Sequence, residues 1–356
     1  MWIAILIVLI VVLAAVLLKI AHGARTAAAV LPAEGAVPME TGVAAADAVP
    51  FATETTTAAA AECFRIAFTV TRFDYQIIGE HATVLASVSA SLDESVHERD
   101  YFPRRPMLLP KLLHAINDSE STRQELVNLL LEDPTLAGAV LQRANSAYYR
   151  LSPEPIESLD RAVFMLGTDG LRGLMAAAIL QPVFRTPRGY FENFAEFTWE
   201  QAERTAIAAE SHARAGLDTE PIVAQLLGML SLLANIVLFR LTMDKYRGHP
   251  DVLPRADVFI KAIQLHRARI ASLIAQTWQL TDMSVAAFTE QQQQIVPSQM
   301  SSLGRCLYYG ELCGALATLA AHGSYSTDAA LALLVKQGTD RETARAMWRA
   351  AAAIKQ

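Results

Sequence analysis

The chain has 356 residues, 53% of them hydrophobic and 19% charged, and its 36 acidic against 30 basic side chains leave a formal charge of −6. A nucleic-acid binder carries a basic stripe, and the only adjacent basic pair in the domain, Arg104-Arg105, is better read as flanking a helix start, so DNA and RNA are disfavoured as direct partners. Cys63, Cys306 and Cys313 form an odd set without tight pairing, which suits a reducing compartment better than a disulfide-stapled exterior.

Met1 to Leu18 is an unbroken apolar run, followed by Lys19-Ile20. A bilayer span needs roughly 20 apolar residues. Residues 1–20 are therefore read as a transmembrane anchor in the lipid bilayer. Lys19 and Arg25 at its C-terminal end place the rest of the chain in the cytoplasm, by the positive-inside tendency. The rival reading is a secretory signal peptide cleaved near Gly23, which wants a charged residue before a shorter apolar core. Residues 21–60, rich in Ala, Thr, Val, Pro and Gly, lack large periodic apolar side chains and read as a flexible tether.

From residue 61 the composition changes. Phe64, Phe68, Thr71 and Tyr75 fit a helix, while Phe64, Ile66, Phe68 and Val70 also alternate as a strand would. The helical reading is preferred, and 61–103 is taken as a helical N-terminal extension. Ile78, Ala82, Leu85, Ser89 and Leu92 supply a second helical face before the charged break at Asp93 to Asp100. Leu109-Pro110 opens a helix with Leu112, Leu113 and Ile116 on one face, and Thr122-x-x-Glu125 is a capping-box pattern before the next. At Asp133 an acceptor side chain precedes Pro134, whose missing N–H costs nothing at a first helical position. Leu136, Val140 and Ala144 follow at helical spacing, and Asn145-Ser146 closes the run as a stop, with Asn suited to the left-handed conformation and Ser to a backbone bond.

Ile156-Glu157-Ser158-Leu159 opens a helix that Gly167 ends, and Asp169 is placed to cap the next. Thr186 to Gly189 reads as a loop, and Trp199 as the start of a helix through Ala213. Residues 222–241 are strongly apolar but interrupted by Gln225, Gly228 and Asn235, which favours a buried central helix over a second membrane span. Gly248-His249-Pro250 is a turn, and Ile263 to Trp278 a helix. Gln291 to Gln294 is a polar helix face or loop. Cys306 and Cys313, one heptad apart, read as buried small hydrophobes. Thr339-x-x-Glu342 is a second capping box, ahead of Ala344, Met347, Trp348 and Ala351 on one face. No strand pattern and no internal repeat emerges, so the fold class is all-α.

Four of these features stand in an order that resembles the HDOD family, the HD-related output domains of bacterial signalling proteins. They are Leu109-Pro110, Asp133 to Leu136, Asn145 to Ala147, and Ile156 to Gly167. The resemblance covers residues 104–320 and leaves 321–356 as C-terminal helices. Its motif positions are Pro110, Asp133, Pro134, Leu136, Asn145, Ser146 and Gly167, structural or partner-facing.

The resemblance also says where HD-type phosphohydrolases hold metal, with histidines and an adjacent His-Asp pair that activate water. Gly228-Met229-Leu230-Ser231-Leu232-Leu233-Ala234 resembles the family's Gly-Leu-Leu-His-Asp-Ile-Gly stretch, with Ser231 and Leu232 where His and Asp would be. Gln201 stands at the first histidine position. Trp278-Gln279-Leu280-Thr281 resembles a Trp-x-Leu-Pro step, and counting from it puts Arg267 on one family histidine, with His266 beside it, and Glu290-Gln291 on a His-His pair. His212, Glu210 and Glu290 read as solvated side chains. No phosphate loop, dinucleotide fingerprint or nucleophile elbow is present. The expectation is a protein without catalytic, metal or cofactor-binding residues. It would be a single-pass protein of the bacterial inner membrane whose cytoplasmic helical domain binds a signalling protein; a cyclic nucleotide is a weaker candidate with no motif behind it. The alternatives are a divergent metal-dependent phosphohydrolase and an oligomerising membrane scaffold.

Overall fold

The computed structural model describes residues 54–73, 76–92, 100–117, 123–146, 149 and 154–354. The proposed anchor, most of the tether, the 93–99 break and Thr122 lie outside them. Among the described residues every regular element is helical.

The first helix, α1 (Glu54–Ala67), reaches back into the stretch read as tether. Its C-terminal end is fastened by aromatic packing. Phe68 lies 4.7 Å from the Phe194 ring, Phe194 4.7 Å from Phe239, and Phe239 5.0 Å from Phe259. Such pairs add about 0.5–1.5 kcal/mol each beyond their buried area. The N-terminal extension is thus packed on the main body. In α2 (Glu80–Ser91) the buried face is Val84, Val88 and Ser91. Ile78 precedes that helix and is 69% exposed, so the expected face was displaced in register.

A run of short helices follows: α3 (Leu109–Asn117), α4 (Arg123–Leu131) and α5 (Pro134–Ala144). The start of α5 forms as its chemistry dictates. Asp133 accepts from the N–H groups of Thr135 at 2.9 Å and Leu136 at 3.1 Å, and Leu136, Val140 and Ala144 are buried. Next, α6 (Leu159–Leu180) begins at Ser158, whose hydroxyl accepts from Arg161 N at 3.2 Å. It is broken within by Gly167, at φ 71° and ψ 177°, a conformation that favours glycine. Asp169 forms no cap there; it faces Arg172 at 3.4 Å and Arg214 at 3.5 Å.

At the centre lies α7 (Phe194–Ala213), flanked by α8 (Pro221–Arg247) and α11 (Ser302–Ala321). The flanking helices approach its backbone closely. A Cβ on Gly228 of α8 would lie 2.8 Å from Ala206 Cα, and one on Gly314 of α11 2.6 Å from Thr205 Cα. The apolar run expected as a buried central helix is α8, which is buried but packs beside α7. Leu230, Leu232, Leu233, Ile236 and Val237 have no exposed surface. By length and composition alone Leu159–Val183 and α8 could cross a membrane, but 94% of the apolar window of α8 is buried inside the fold.

The remaining helices are α9 (Ala256–Thr277), α10 (Asp282–Gln292), α12 (Thr327–Lys336) and α13 (Arg341–Ala352). Asp340, not Thr339, caps α13, accepting from Glu342 N at 3.0 Å and Thr343 N at 2.9 Å, while Thr339 is buried. Ala344, Met347, Trp348 and Ala351 are buried as expected. Arg204 of α7 donates to Ala351 O at 3.0 Å, so the C-terminal helices belong to the same folded body. Cys306 and Cys313 are buried, and burial pushes the thiols of Cys63, Cys306 and Cys313 up to about 12.

Candidate functional site

Several family-motif residues make contacts within the fold, while Ser146 and Gly167 also line a concavity. Pro110 is the second residue of α3, and Pro134 the first of α5. Asn145 corrects the expected left-handed stop: it is right-handed, at φ −88° and ψ −2°, and acts through its side chain. Its Nδ2 donates to Leu141 O at 2.9 Å and Ile156 O at 2.8 Å, and its Oδ1 accepts from Ile156 N at 2.7 Å. The next residue, Ser146, donates its backbone N–H to Arg143 O at 2.9 Å.

The positions that the resemblance matches to metal ligands carry Gln201, Ser231, Leu232, Arg267 and Glu290-Gln291. Gln201 is half-buried on α7. Ser231 is buried and donates to Gly228 O at 3.0 Å, and Leu232, wholly buried, has no donor atom. Arg267 is ion-paired with Glu311, and the neighbouring His266 meets Ser89 Oγ at 2.9 Å. Glu290 is not a solvated face: it accepts from Ser301 N at 3.1 Å and Ser301 Oγ at 3.0 Å, at the start of α11. Gln291 donates to Gly304 O at 3.0 Å. A divalent ion needs several carboxylate, imidazole or thiolate donors converging on one point. Among the described residues no group of three or more such side chains could hold one.

Two neighbouring concavities lie elsewhere, between α7 on one side and α5 and α6 on the other. Trp199, Glu203, Ile207, Glu210 and Arg214 recur every three or four residues and so share one face of α7. The upper part, about 240 Å³, is lined by Trp199, Glu203, Ile207, Arg143, Ser146 and Tyr149 among others. Arg143 pairs with Glu203, and its guanidinium stands 5.0 Å from the centre of the Trp199 ring. The lower part, about 570 Å³, takes in Glu210, Arg214, Gln225, Gly167, Gly170 and Gly173, and Tyr149 lines both.

Two carboxylates set the electrostatics. Burial raises Glu203 above the ordinary carboxylate range despite the opposing Arg143 charge, and burial likewise raises Glu210 against its 2.8 Å pair with Arg214. Glu210 is therefore a paired, largely desolvated group, where the sequence suggested a solvated one. His212 also departs from expectation. It is buried beside Tyr309, 5.0 Å between ring centres, and burial lowers it to about 4. The sequence singles out neither Arg143 nor Glu203, and Gln225 enters it only as an interruption of the apolar run, although the spacing from Trp199 to Arg214 is a stripe that could have pointed to this face.

A family model described as the HDOD domain matches residues 102–294, more than half of the chain. No curated protein matches it. Among solved structures, the fold is similar to an HDOD domain protein of unknown function from Geobacter sulfurreducens, with 17% identity, TM-score 0.52, and coverage of 76% of this chain and 88% of that one. A protein from Shewanella amazonensis named as a candidate phosphohydrolase gives 22% identity, TM-score 0.53, and coverage of 76% and 97%. One from Marinobacter aquaeolei named as a candidate signal transduction protein gives 19%, 0.50, and coverage of 79% and 66%. At these identities the likeness shows the shared fold.

Proposed function

Because this chain belongs to the HDOD domain family, we propose that it is a signal-transduction module that acts by binding another protein and performs no hydrolysis. Residues 1–20 tether it to the inner membrane of a bacterium, with the helical body in the cytoplasm. The observation that supports the non-catalytic reading is the pair Ser231 and Leu232. At the centre of the expected ligand set, one side chain is bonded to its own helix and the other is an apolar core residue. Arg267, Glu290 and Gln291 are likewise engaged in contacts that hold helices together.

The cleft beside α7 is the surface best suited to a partner. It combines the aromatic Trp199 and Tyr149 with paired charges, a composition that serves recognition. Elemental analysis of the purified full-length protein tests the reading directly. Fewer than one Fe, Mn, Zn, Ni or Co per chain is expected, with no metal-dependent cleavage of bis(p-nitrophenyl) phosphate above background. A stoichiometric ion together with hydrolysis would overturn it in favour of a divergent phosphohydrolase.

A further inference from the structure

On α13 the fold leaves a line of positive charge open to solvent. The helix buries Thr343, Ala344, Met347, Trp348 and Ala351. Arg341, Arg345 and Arg349 stand four residues apart on another side of it, and all three are exposed. Successive arginines are separated by about 6 Å of helix rise, so the three form one short row. Among the described residues no carboxylate pairs with any of them. Within the row, Arg349 Nε donates to Arg345 O at 3.3 Å. The acids nearby in sequence are Glu342, which is exposed, and Asp340, whose carboxylate is taken by the N–H groups of Glu342 and Thr343.

The composition of that side decides between partners. A protein interface centres on aromatic and apolar anchors and keeps its charge at the rim. The arginine side has no such anchor: its other exposed residues are Glu342, Ala352 and Ala353. A row of like charge without an anchor suits a ligand that is itself an extended sheet of opposite charge. Anionic phospholipid headgroups form such a sheet, and each basic residue held near it gains about fivefold in affinity. Arginine adds forked hydrogen bonding to phosphate oxygens. The complementarity is local, with three arginines against one glutamate on this helix of a chain whose total charge is −6.

We propose that the side of α13 bearing Arg341, Arg345 and Arg349 docks on the anionic phospholipid surface of the membrane and turns one side of the helical body toward it. The proposal rests on the reading of residues 1–20 as an anchor, which brings that surface within reach. Ile354, two residues beyond α13, lines the upper concavity with Arg143, Glu203 and Trp199, so docking sets that end of the cleft near the headgroups.

The experiment uses the full-length protein reconstituted in vesicles of phosphatidylcholine alone or mixed with phosphatidylglycerol. A fluorophore is placed on Ala352→Cys, which shares the side of Arg345 and Arg349, and is quenched by lipid carrying a headgroup nitroxide. Cys63, Cys306 and Cys313 are buried and stay unlabelled. Quenching should be stronger in the phosphatidylglycerol vesicles and should fall as added salt screens the charges. Arg345→Gln should lower the docked-to-undocked ratio about fivefold, and the triple glutamine variant about a hundredfold, to the phosphatidylcholine level. The melting temperature should hold, since the three positions are exposed, and the triple lysine variant should keep the effect. Equal quenching in the two lipids, or a phosphatidylglycerol effect that survives the triple glutamine change, would overturn the proposal. So would arginine-dependent binding of poly-L-glutamate with no lipid effect, which assigns the row to an acidic protein segment. Failure of the anchor reads differently, as protein that does not float with phosphatidylcholine vesicles. Flotation with the phosphatidylglycerol vesicles then tests the row alone, and its absence would also overturn the proposal.

Discussion

Asn145 and Ile156 are joined by a reciprocal pair of hydrogen bonds, Ile156 N to Asn145 Oδ1 at 2.7 Å and Asn145 Nδ2 to Ile156 O at 2.8 Å. The side chain thus does what a neighbouring strand would do for a backbone, and it ties the end of α5 to the approach to α6. Ile156 is itself 4% exposed, so its main-chain groups have little access to water if the asparagine is removed.

Asn145→Ala should therefore cost about 2–4 kcal/mol in urea unfolding, because it strands buried backbone groups as well as losing bonds. Asn145→Asp keeps the acceptor for Ile156 N and loses both Nδ2 donations, so it should fall between. An alanine variant with wild-type stability and impaired partner binding would move the residue from architecture to recognition.

The N-terminus of α5 gives a graded pair. Asp133→Ala removes a cap that accepts two N–H groups and should cost about 0.5–2 kcal/mol. Leu136→Ala, at a 5% exposed core position, should cost roughly 2–5 kcal/mol. The ratio of the two losses, read from chemical denaturation, checks that the helix is held by its buried face more than by its cap.

His212 imposes a pH dependence. Its folded-state value of about 4 lies below the ordinary 6.5, so the unfolded chain binds the proton more readily. Its contribution is complete above pH 6.5 and is lost as pH falls toward 4, amounting to about 3 kcal/mol at most. Glu203 and Glu210, raised by burial, act in the opposite sense: their contribution is greatest at low pH and declines as pH rises past the ordinary carboxylate value. The histidine is isolated by comparison with His212→Phe. The stability gap between wild type and variant should shift in favour of the variant between pH 7 and 4.5, and a constant gap would contradict the assignment.

The buried pair Arg204–Glu200, 2.9 Å apart with side chains 1% and 8% exposed, should be intolerant of single changes. Arg204→Met removes the guanidinium from Glu200, leaving His322 Nε2 at 3.0 Å from its other oxygen, and releases Ala351 O, a loss of about 3–5 kcal/mol. Replacing both partners with methionine should recover much of that loss. The recovery would appear as a double-mutant stability closer to wild type than either single.

Anchorage is checked in cells. Carbonate-washed membranes should retain the protein, and a C-terminal alkaline phosphatase fusion should be inactive, as a cytoplasmic body requires. A mature chain that begins near Ala24 would point to signal-peptide cleavage instead.

The sequence made α5 and α8 legible because their signals are local: a cap with proline, and an apolar run too interrupted for lipid. The structure starts α7 and α9 several residues before the expected Trp199 and Ile263, at Phe194 and Ala256. Neither Asn193 nor Arg255 makes a side-chain cap bond, so no local chemistry marks those starts. Glu290 and His212 depart from expectation for a different reason. Their partners, Ser301 and Tyr309, lie on another helix, and burial created by tertiary contact leaves no trace in the neighbouring residues. The cleft was half visible, since α7 declares its stripe while Arg143 and Gln225 arrive from other elements.

The glycine contacts on α7 carry a mechanical consequence. At Gly228 and Gly314 the obstacle to any larger residue is main chain, which has no rotamer to yield, so α7 behaves as a fixed rail gripped from two sides. The facing wall is built differently, from short helices and from an α6 interrupted at Gly167. Any change in the width of the cleft must then come from the α5–α6 side. Amide hydrogen exchange should report that asymmetry, slowest in the middle of α7 and α8 and faster on either side of Gly167.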